Sequence, residues 1–93
     1  MPRTLEQLIK DEFGCDVRYA GFQQVRETFQ GKAAWEGTVQ IFDLIGHPKA
    51  NTVYAWRYEQ NGETKTVTVL KEPPVDSPHA AVQVAIAAKA RHR

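Results

Sequence analysis

One stretch decides the fold of this chain: residues 52–70 read TVYAWRYEQNGETKTVTVL. Apolar and polar residues alternate on both sides of Asn61-Gly62, as they do in half-buried strands. An Asn-Gly pair between two such runs favours a two-residue turn in which both residues have positive φ. The stretch therefore predicts a β-hairpin whose two strands are joined at Asn61-Gly62.

The two-residue turn also predicts the register of the hairpin. Cross-strand partners point to the same face of a sheet, so each face can be written from the sequence. One face is aromatic and aliphatic, with the pairs Tyr54–Val69, Trp56–Val67 and Tyr58–Lys65. The other face is largely polar, with the pairs Ala55–Thr68, Arg57–Thr66 and Glu59–Thr64. We expect the first face to lie in the core, with Tyr58 at its rim, and the second to face water.

Two segments have the pattern of amphipathic helices. The first, at about residues 5–13, begins with a capping box formed by Thr4 and Gln7. The second, at residues 80–90, is rich in alanine and follows Asp-Ser-Pro at 76–78, which predicts a helix cap with proline in the first turn. Each helix is stable only if its apolar stripe is buried, and the aromatic face of the hairpin is the expected partner of both.

The segments between the first helix and the hairpin predict further strands. Residues 35–45 are rich in β-branched and aromatic side chains, and their apolar density suggests cover on much of both faces. Residues 16–30 contain two competing patterns, one alternating as in a strand and one with apolar residues at helical intervals. We favour a strand with a β-bulge near Gly21 over a second helix.

Together these elements predict a single α+β domain spanning residues 1–93, with the order α-β-β-β(-β)-α. We expect an antiparallel sheet of three or four strands with both helices packed on one face. The order of elements and the alanine-rich last helix resemble those of double-stranded-RNA-binding domains. Where that family has a lysine cluster opening its last helix, residues 76–79 read Asp-Ser-Pro-His. The resemblance is therefore one of element order and does not extend to the phosphate-binding residues.

Composition is that of an ordinary soluble globular domain. Of the 93 residues, 42% are hydrophobic and 25% are charged, and the formal net charge is +1. The two signs of charge are interspersed, which argues against general nucleic-acid binding because such binding requires a concentrated basic surface. No run approaches the roughly 18 continuous apolar residues of a membrane span, and the first residues do not resemble a secretory signal. Because Cys15 is the single cysteine, we expect a cytoplasmic protein.

The residues with catalytic or metal-binding chemistry form no recognisable motif. Cys15 would need a histidine folded beside it to act as a nucleophile, and its ordinary role is that of a small, half-buried residue. The histidines His47, His79 and His92 lack the spacing of a metal site. Asp43 lies in an apolar strand, where a carboxylate is either buried or points outward. We therefore expect no enzyme, metal site or cofactor, and a Cys15-dependent enzyme remains as an alternative.

The balanced charge and the α+β pattern favour a small non-enzymatic binding or accessory module that recognises a protein partner through the hairpin or an edge strand. The expected partner-binding residues are those on the polar face and the rim of the hairpin: Arg57, Tyr58, Glu59, Thr64, Thr66 and Thr68. The alternative function is RNA or DNA binding by a local basic patch composed of Lys32, Lys49, Lys89, Arg91 and Arg93.

Overall fold

The computed structural model describes residues 4–29 and 31–91, which form two helices and four strands. The elements are α1 (Leu5–Phe13), β1 (Asp16–Phe29), β2 (Lys32–Ile45), β3 (Thr52–Gln60), β4 (Glu63–Leu70) and α2 (Pro78–Arg91). The strands form one antiparallel sheet in the order β1-β2-β3-β4, so each pairs with its neighbour in the chain and β1 and β4 are the edges. The predicted α+β fold is confirmed. None of the helices in the described part of the chain is long and apolar enough to cross a membrane.

The β3–β4 hairpin has the predicted turn and register. Asn61 and Gly62 have φ values of 54° and 79°, the left-handed conformation that a two-residue turn of this kind requires. Trp56 lies opposite Val67, and the other pairs also follow the predicted register. The turn residues and the alternation of the strands therefore specified this element completely.

Both helices are capped by side chains near their first turns. The hydroxyl oxygen of Thr4 accepts a hydrogen bond from the backbone N–H of Gln7 at 3.2 Å, as the capping box predicts. Gly14 then ends α1 in the left-handed conformation, with φ of 65°. In α2, the hydroxyl oxygen of Ser77 accepts from the backbone N–H of Ala80 at 3.1 Å, so Ser77 is the cap.

The segment with competing patterns is strand β1, and it contains the expected bulge. The register with β2 shifts between Tyr19 and Gly21. Before the bulge, Tyr19 lies opposite Phe42, whereas after it Gln23 lies opposite Val39. Because Phe42 and Val39 point to different faces of β2, the bulge moves the odd-numbered side chains of β1 from one face of the sheet to the other.

The core lies on both sides of the sheet, which corrects the expectation that both helices pack on one face. Helix α1 packs on a cluster whose buried members are Ile9, Phe42, Leu44, Val53 and Ala55. Helix α2 packs on a cluster whose buried members are Val25, Val39, Tyr54, Trp56, Val75, Ala81 and Val82. Consecutive residues of β3 alternate between the two clusters, so the helices lie on opposite faces. We call these the α1 face and the α2 face.

The expectation of one covered face failed because the polar face of the hairpin contains a short apolar patch. Val53 and Ala55 are fully buried on the α1 face, although threonines and charged residues follow them along the hairpin. The adjacent residues Ile41 and Phe42 of β2 point to opposite faces and continue both clusters. A helix as short as α1 can bury its apolar side chains on such a patch alone. The helix therefore leaves the rest of this face of the sheet uncovered.

Strands β2 and β3 pair over only part of their length. Their described ladder runs from Gln40–Ala55 to Asp43–Thr52, although both strands continue beyond Gln40 and Ala55. The β1–β2 and β3–β4 hairpins therefore diverge away from the loop that joins β2 to β3. On the α2 face, the rings of Trp35 and Trp56 pack across this divergence with centroids 5.6 Å apart.

Candidate functional site

Most of the predicted partner-binding residues lie on the α1 face of the sheet, beyond the end of α1. Arg57, Glu59, Thr64 and Thr66 are exposed. Arg57 lies opposite Thr66 and Glu59 opposite Thr64, so the four side chains form two adjacent cross-strand pairs on one face. The structure thus brings together four of the six predicted residues.

The fifth predicted residue, Thr68, lies at the boundary of the region covered by α1. Its hydroxyl group donates to the carboxylate of Glu12 in α1, whose two oxygens both lie at 3.0 Å. Its cross-strand partner Ala55 is fully buried under the same helix. Thr68 therefore joins β4 to α1 and marks the limit of the exposed surface.

The sixth predicted residue, Tyr58, lies on the opposite face of the hairpin. It pairs with Lys65, is half-buried and lines a groove on the α2 face. Tyr58 was expected at the rim of the aromatic face, and its half-buried position agrees with that expectation. The structure therefore separates Tyr58 from the other candidate residues by the thickness of the sheet.

The exposed surface on the α1 face continues from the β3–β4 hairpin onto β1 and β2. The side-chain amide of Gln24 donates to the hydroxyl oxygen of Thr38 at 2.8 Å, which holds these two residues in one cross-strand pair. Phe22 stands on the same face at the edge of the sheet with 61% of its surface exposed. We call the set Phe22, Gln24, Thr38, Arg57, Glu59, Thr64 and Thr66 the open sheet face.

The sequence did not predict Phe22 and Gln24, because their face depends on the position of the bulge in β1. It did not predict Thr38 either, because the face of Thr38 is known only once β2 is placed beside β3. A shift of the bulge by one residue would send Phe22 to the α2 face and into the core. The signal that could have located it was Gly21, which has φ of 146° at the bulge. A glycine within an alternating strand indicates a bulge, but it does not show whether the register changes before or after the glycine.

The carboxylate of Glu27 connects β1 to the first turns of α2. One carboxylate oxygen lies 2.8 Å from Nδ1 of His79, and the other accepts from the side-chain amide of Gln83 at 2.8 Å. The hydrogen bond with His79 holds the pKa of Glu27 below its ordinary value, against the opposing effect of burial. These hydrogen bonds fix the beginning of α2 over β1, so the role of Glu27 is structural.

The other residues with catalytic chemistry also have structural roles. Cys15 is half-buried and packs against the cluster under α1. Nδ1 of His47 accepts from the backbone N–H groups of Lys49 and Ala50, both at 3.1 Å, and so orders the loop between β2 and β3. Asp43 points outward and pairs with Arg18 at 3.3 Å.

The predicted basic patch is only partly within the described structure. Lys32 and Lys49 are exposed. His92 and Arg93 lie outside the described residues, as do the side chains of Lys89 and Arg91. Among residues 4–29 and 31–91, no group of three or more histidine, cysteine, aspartate or glutamate side chains is placed to hold a metal ion.

A groove of about 450 Å³ lies between α2 and the β3–β4 hairpin on the α2 face. Its walls are aromatic and aliphatic: Trp35, Trp56, Tyr58, Val67, Val69, Val82, Val84, Ala85, Ile86 and Ala88, with Thr68 at one side. The aromatic row was expected in the core, and Tyr54 and Trp56 are indeed buried, with 3% of each exposed. The sequence did not predict the groove, because it depends on how closely α2 packs over the hairpin.

The chain was compared with protein-family models, with curated proteins and with solved structures, and no match was found in any of the three comparisons.

Proposed function

We propose that the protein is a small, non-enzymatic recognition module that binds a protein partner through the open sheet face. The observation that supports this proposal is the incomplete cover of the α1 face. Helix α1 protects the sheet as far as Thr68, and beyond it β1, β3 and β4 contribute exposed side chains to the same face, with the half-buried Thr38 from β2. A solvated face is ordinary in an antiparallel sheet, so it is the exposed ring of Phe22 on this face that favours an interface.

The chemistry of the open sheet face suits a protein better than a nucleic acid. Arg57 and Glu59 supply both signs of charge, and Thr64 and Thr66 supply hydroxyl groups that can donate and accept. Phe22 adds a large exposed aromatic ring, the kind of residue that anchors protein interfaces. A phosphate backbone would instead need a concentration of basic groups without acidic neighbours.

The structural roles of Cys15, His47 and Asp43 support a module without catalytic activity. Each is engaged in packing, loop order or an ion pair, and the three lie at separate places in the fold. We further infer a cytoplasmic location, because free cysteine thiols stay reduced in the cytoplasm.

The proposal can be tested by affinity capture from the native host with a charge-reversed face. The double variant Arg57→Glu/Thr66→Glu changes two exposed, cross-strand neighbours and should leave the fold intact. The matched control is Gln23→Glu/Lys71→Glu, which makes the same change in net charge at exposed positions outside the open sheet face. Circular dichroism and thermal unfolding establish that both variants are folded.

We expect the wild-type protein and the control variant to retain a common protein partner that the face variant loses. Retention of every partner by the face variant would refute the assignment of this surface. If the captured material is nucleic acid and its binding falls steeply with salt, the alternative nucleic-acid function is supported and the protein-binding proposal fails.

A further inference from the structure

We infer that the groove between α2 and the β3–β4 hairpin is a binding site for a small, uncharged, apolar molecule. The groove lies on the α2 face, so it is separate from the open sheet face and does not depend on the proposed function. Its volume of about 450 Å³ falls within the range of roughly 300–1,000 Å³ that is typical of ligand pockets.

The groove is held open by the way α2 is attached to the sheet. The first turns of α2 are fixed over β1 by His79 and Gln83, which both contact Glu27. Farther along the helix, the residues that face the hairpin include Ala85 and Ala88, whose side chains are too short to fill the space above β4. The gap is therefore a consequence of fixed contacts elsewhere.

The aromatic wall of the groove is formed in advance of any ligand. The chain contains two tryptophans, and both line the groove. Their rings are in contact, with an interplanar angle of 48°. Trp35 lies along its own strand because residue 37 is glycine: a Cβ there would come within 2.8 Å of the indole ring. These contacts hold the half-buried Trp35 ring against the almost fully buried Trp56, so the Trp35 indole is the one that can pack on a bound molecule.

The composition of the wall determines the class of ligand. Within the described part of the chain, no charged side chain lines the groove. Although Thr68 borders it, its hydroxyl group is bonded to Glu12 on the other side of the sheet. Tyr58 and the indole N–H groups remain as polar side-chain groups in the wall. A charged ligand would lose hydration without gaining an ionic partner from the described residues of the wall, so these residues favour an uncharged molecule.

The dimensions of the groove favour a small molecule over a partner helix. A volume of about 450 Å³ is that of a small-molecule pocket, whereas a whole helix is about 10–12 Å in diameter and could only lie across the opening. A molecule with two fused or linked rings would contact the half-buried indole of Trp35 and the aliphatic side chains of Val67 and Ile86. We therefore assign the groove to ligands of this size.

The inference is tested with two probes that differ in charge. N-phenyl-1-naphthylamine is neutral and apolar, and 1-anilinonaphthalene-8-sulfonate has the same ring system with one sulfonate. Energy transfer from tryptophan to the probe reports that the probe is bound, because both tryptophans lie within transfer distance of most of a molecule this small. We expect saturable binding of the neutral probe to one site, with at least about tenfold weaker binding of the sulfonate, a difference of about 1.4 kcal/mol.

A pair of helix variants ties the signal to the groove. Ala88→Leu places a larger side chain in the groove, whereas Ala87→Leu makes the same change one residue earlier, outside its lining. Leucine is a good helix former, so both variants should fold, which circular dichroism can verify. We expect Ala88→Leu to weaken binding of the neutral probe by about tenfold and Ala87→Leu to leave it nearly unchanged. Non-saturable binding, equal affinity for the two probes, or equal effects of the two variants would overturn the inference.

Discussion

The placement of the helices on opposite faces can be tested by a double-mutant cycle on Ile9. Ile9 is fully buried in α1 and belongs to the same cluster as Val53. Val39 is buried to the same extent, but it belongs to the cluster under α2. The two valines therefore offer identical substitutions on one sheet, with side chains on different faces.

The expected magnitudes follow from the atoms removed. Ile9→Val removes one methylene group and should lower the free energy of unfolding by about 1 kcal/mol. Val→Ala at position 39 or 53 removes two carbons, so transfer and cavity effects together should cost about 2–3 kcal/mol. A domain of this length has a free energy of unfolding of about 5–14 kcal/mol, and each double variant should remain folded.

The two cycles should give different coupling energies. Ile9 and Val53 share one cluster, so their combined cost should depart from the sum of the single costs by about 1 kcal/mol. Ile9 and Val39 are separated by the sheet and should be additive within about 0.3 kcal/mol. The assay is urea unfolding followed by both tryptophan fluorescence and circular dichroism. Coupling as large with Val39 as with Val53 would refute the placement of α1.

Three further predictions concern single residues. The hydrogen bond with His79 lowers the folded-state pKa of Glu27, so this carboxylate stabilises the fold above its ordinary value of 4.5 and the stabilisation is lost as the pH falls through the lower folded-state value. Glu27→Gln should therefore make stability less dependent on acid pH, as measured by urea unfolding across that range. Burial raises the pKa of Tyr54 above its ordinary value of 10.0, so its contribution to stability is complete below that value and is lost as the pH rises through the higher folded-state pKa. Tyr54→Phe should reduce the loss of stability in alkali, and an unchanged alkaline profile would contradict the burial of this hydroxyl group. Gly37→Ala would bring a Cβ within 2.8 Å of the Trp35 ring, and we expect a loss of about 1–3 kcal/mol together with a shift in tryptophan emission. A stable variant with unchanged emission would show that the indole does not lie over residue 37.

The elements that could be predicted from the sequence are those specified by local chemistry. Asn61-Gly62 specifies a turn type, and the alternation on both sides then gives the register of the whole hairpin. The capping residues Thr4 and Gly14 similarly define both ends of α1. In each case the residues that specify the turn or the helix end lie within a few positions of it in the sequence.

The faces of the sheet could not be predicted, because they depend on contacts between distant segments. The polar face of the hairpin contains Ala55, and nothing near Ala55 in the sequence indicates that α1 covers it. The bulge at Gly21 decides whether Phe22 is in the core or in water, and a shift of one residue reverses the answer. The open sheet face therefore required the tertiary structure, although four of its residues were predicted from the hairpin alone.

The groove was beyond sequence reasoning for a related physical reason. Trp56 and Val67 were correctly expected on a buried face, but burial does not reveal whether a helix packs closely over every residue of that face. Helix α2 covers the beginning of the aromatic row and leaves a space farther along, where it carries alanines. Such a gap depends on how a helix packs against a distant hairpin, which the local sequence does not reveal.

The proposed function is tested most directly by site-specific photo-crosslinking in cells of the native host. A photoreactive amino acid at Thr66 would project from the open sheet face, and the same residue at Gln23 would project from an exposed position on the α2 face. We predict a discrete protein adduct from position 66 and none from position 23. The absence of an adduct at position 66, or an equal adduct at both positions, would contradict recognition through this face.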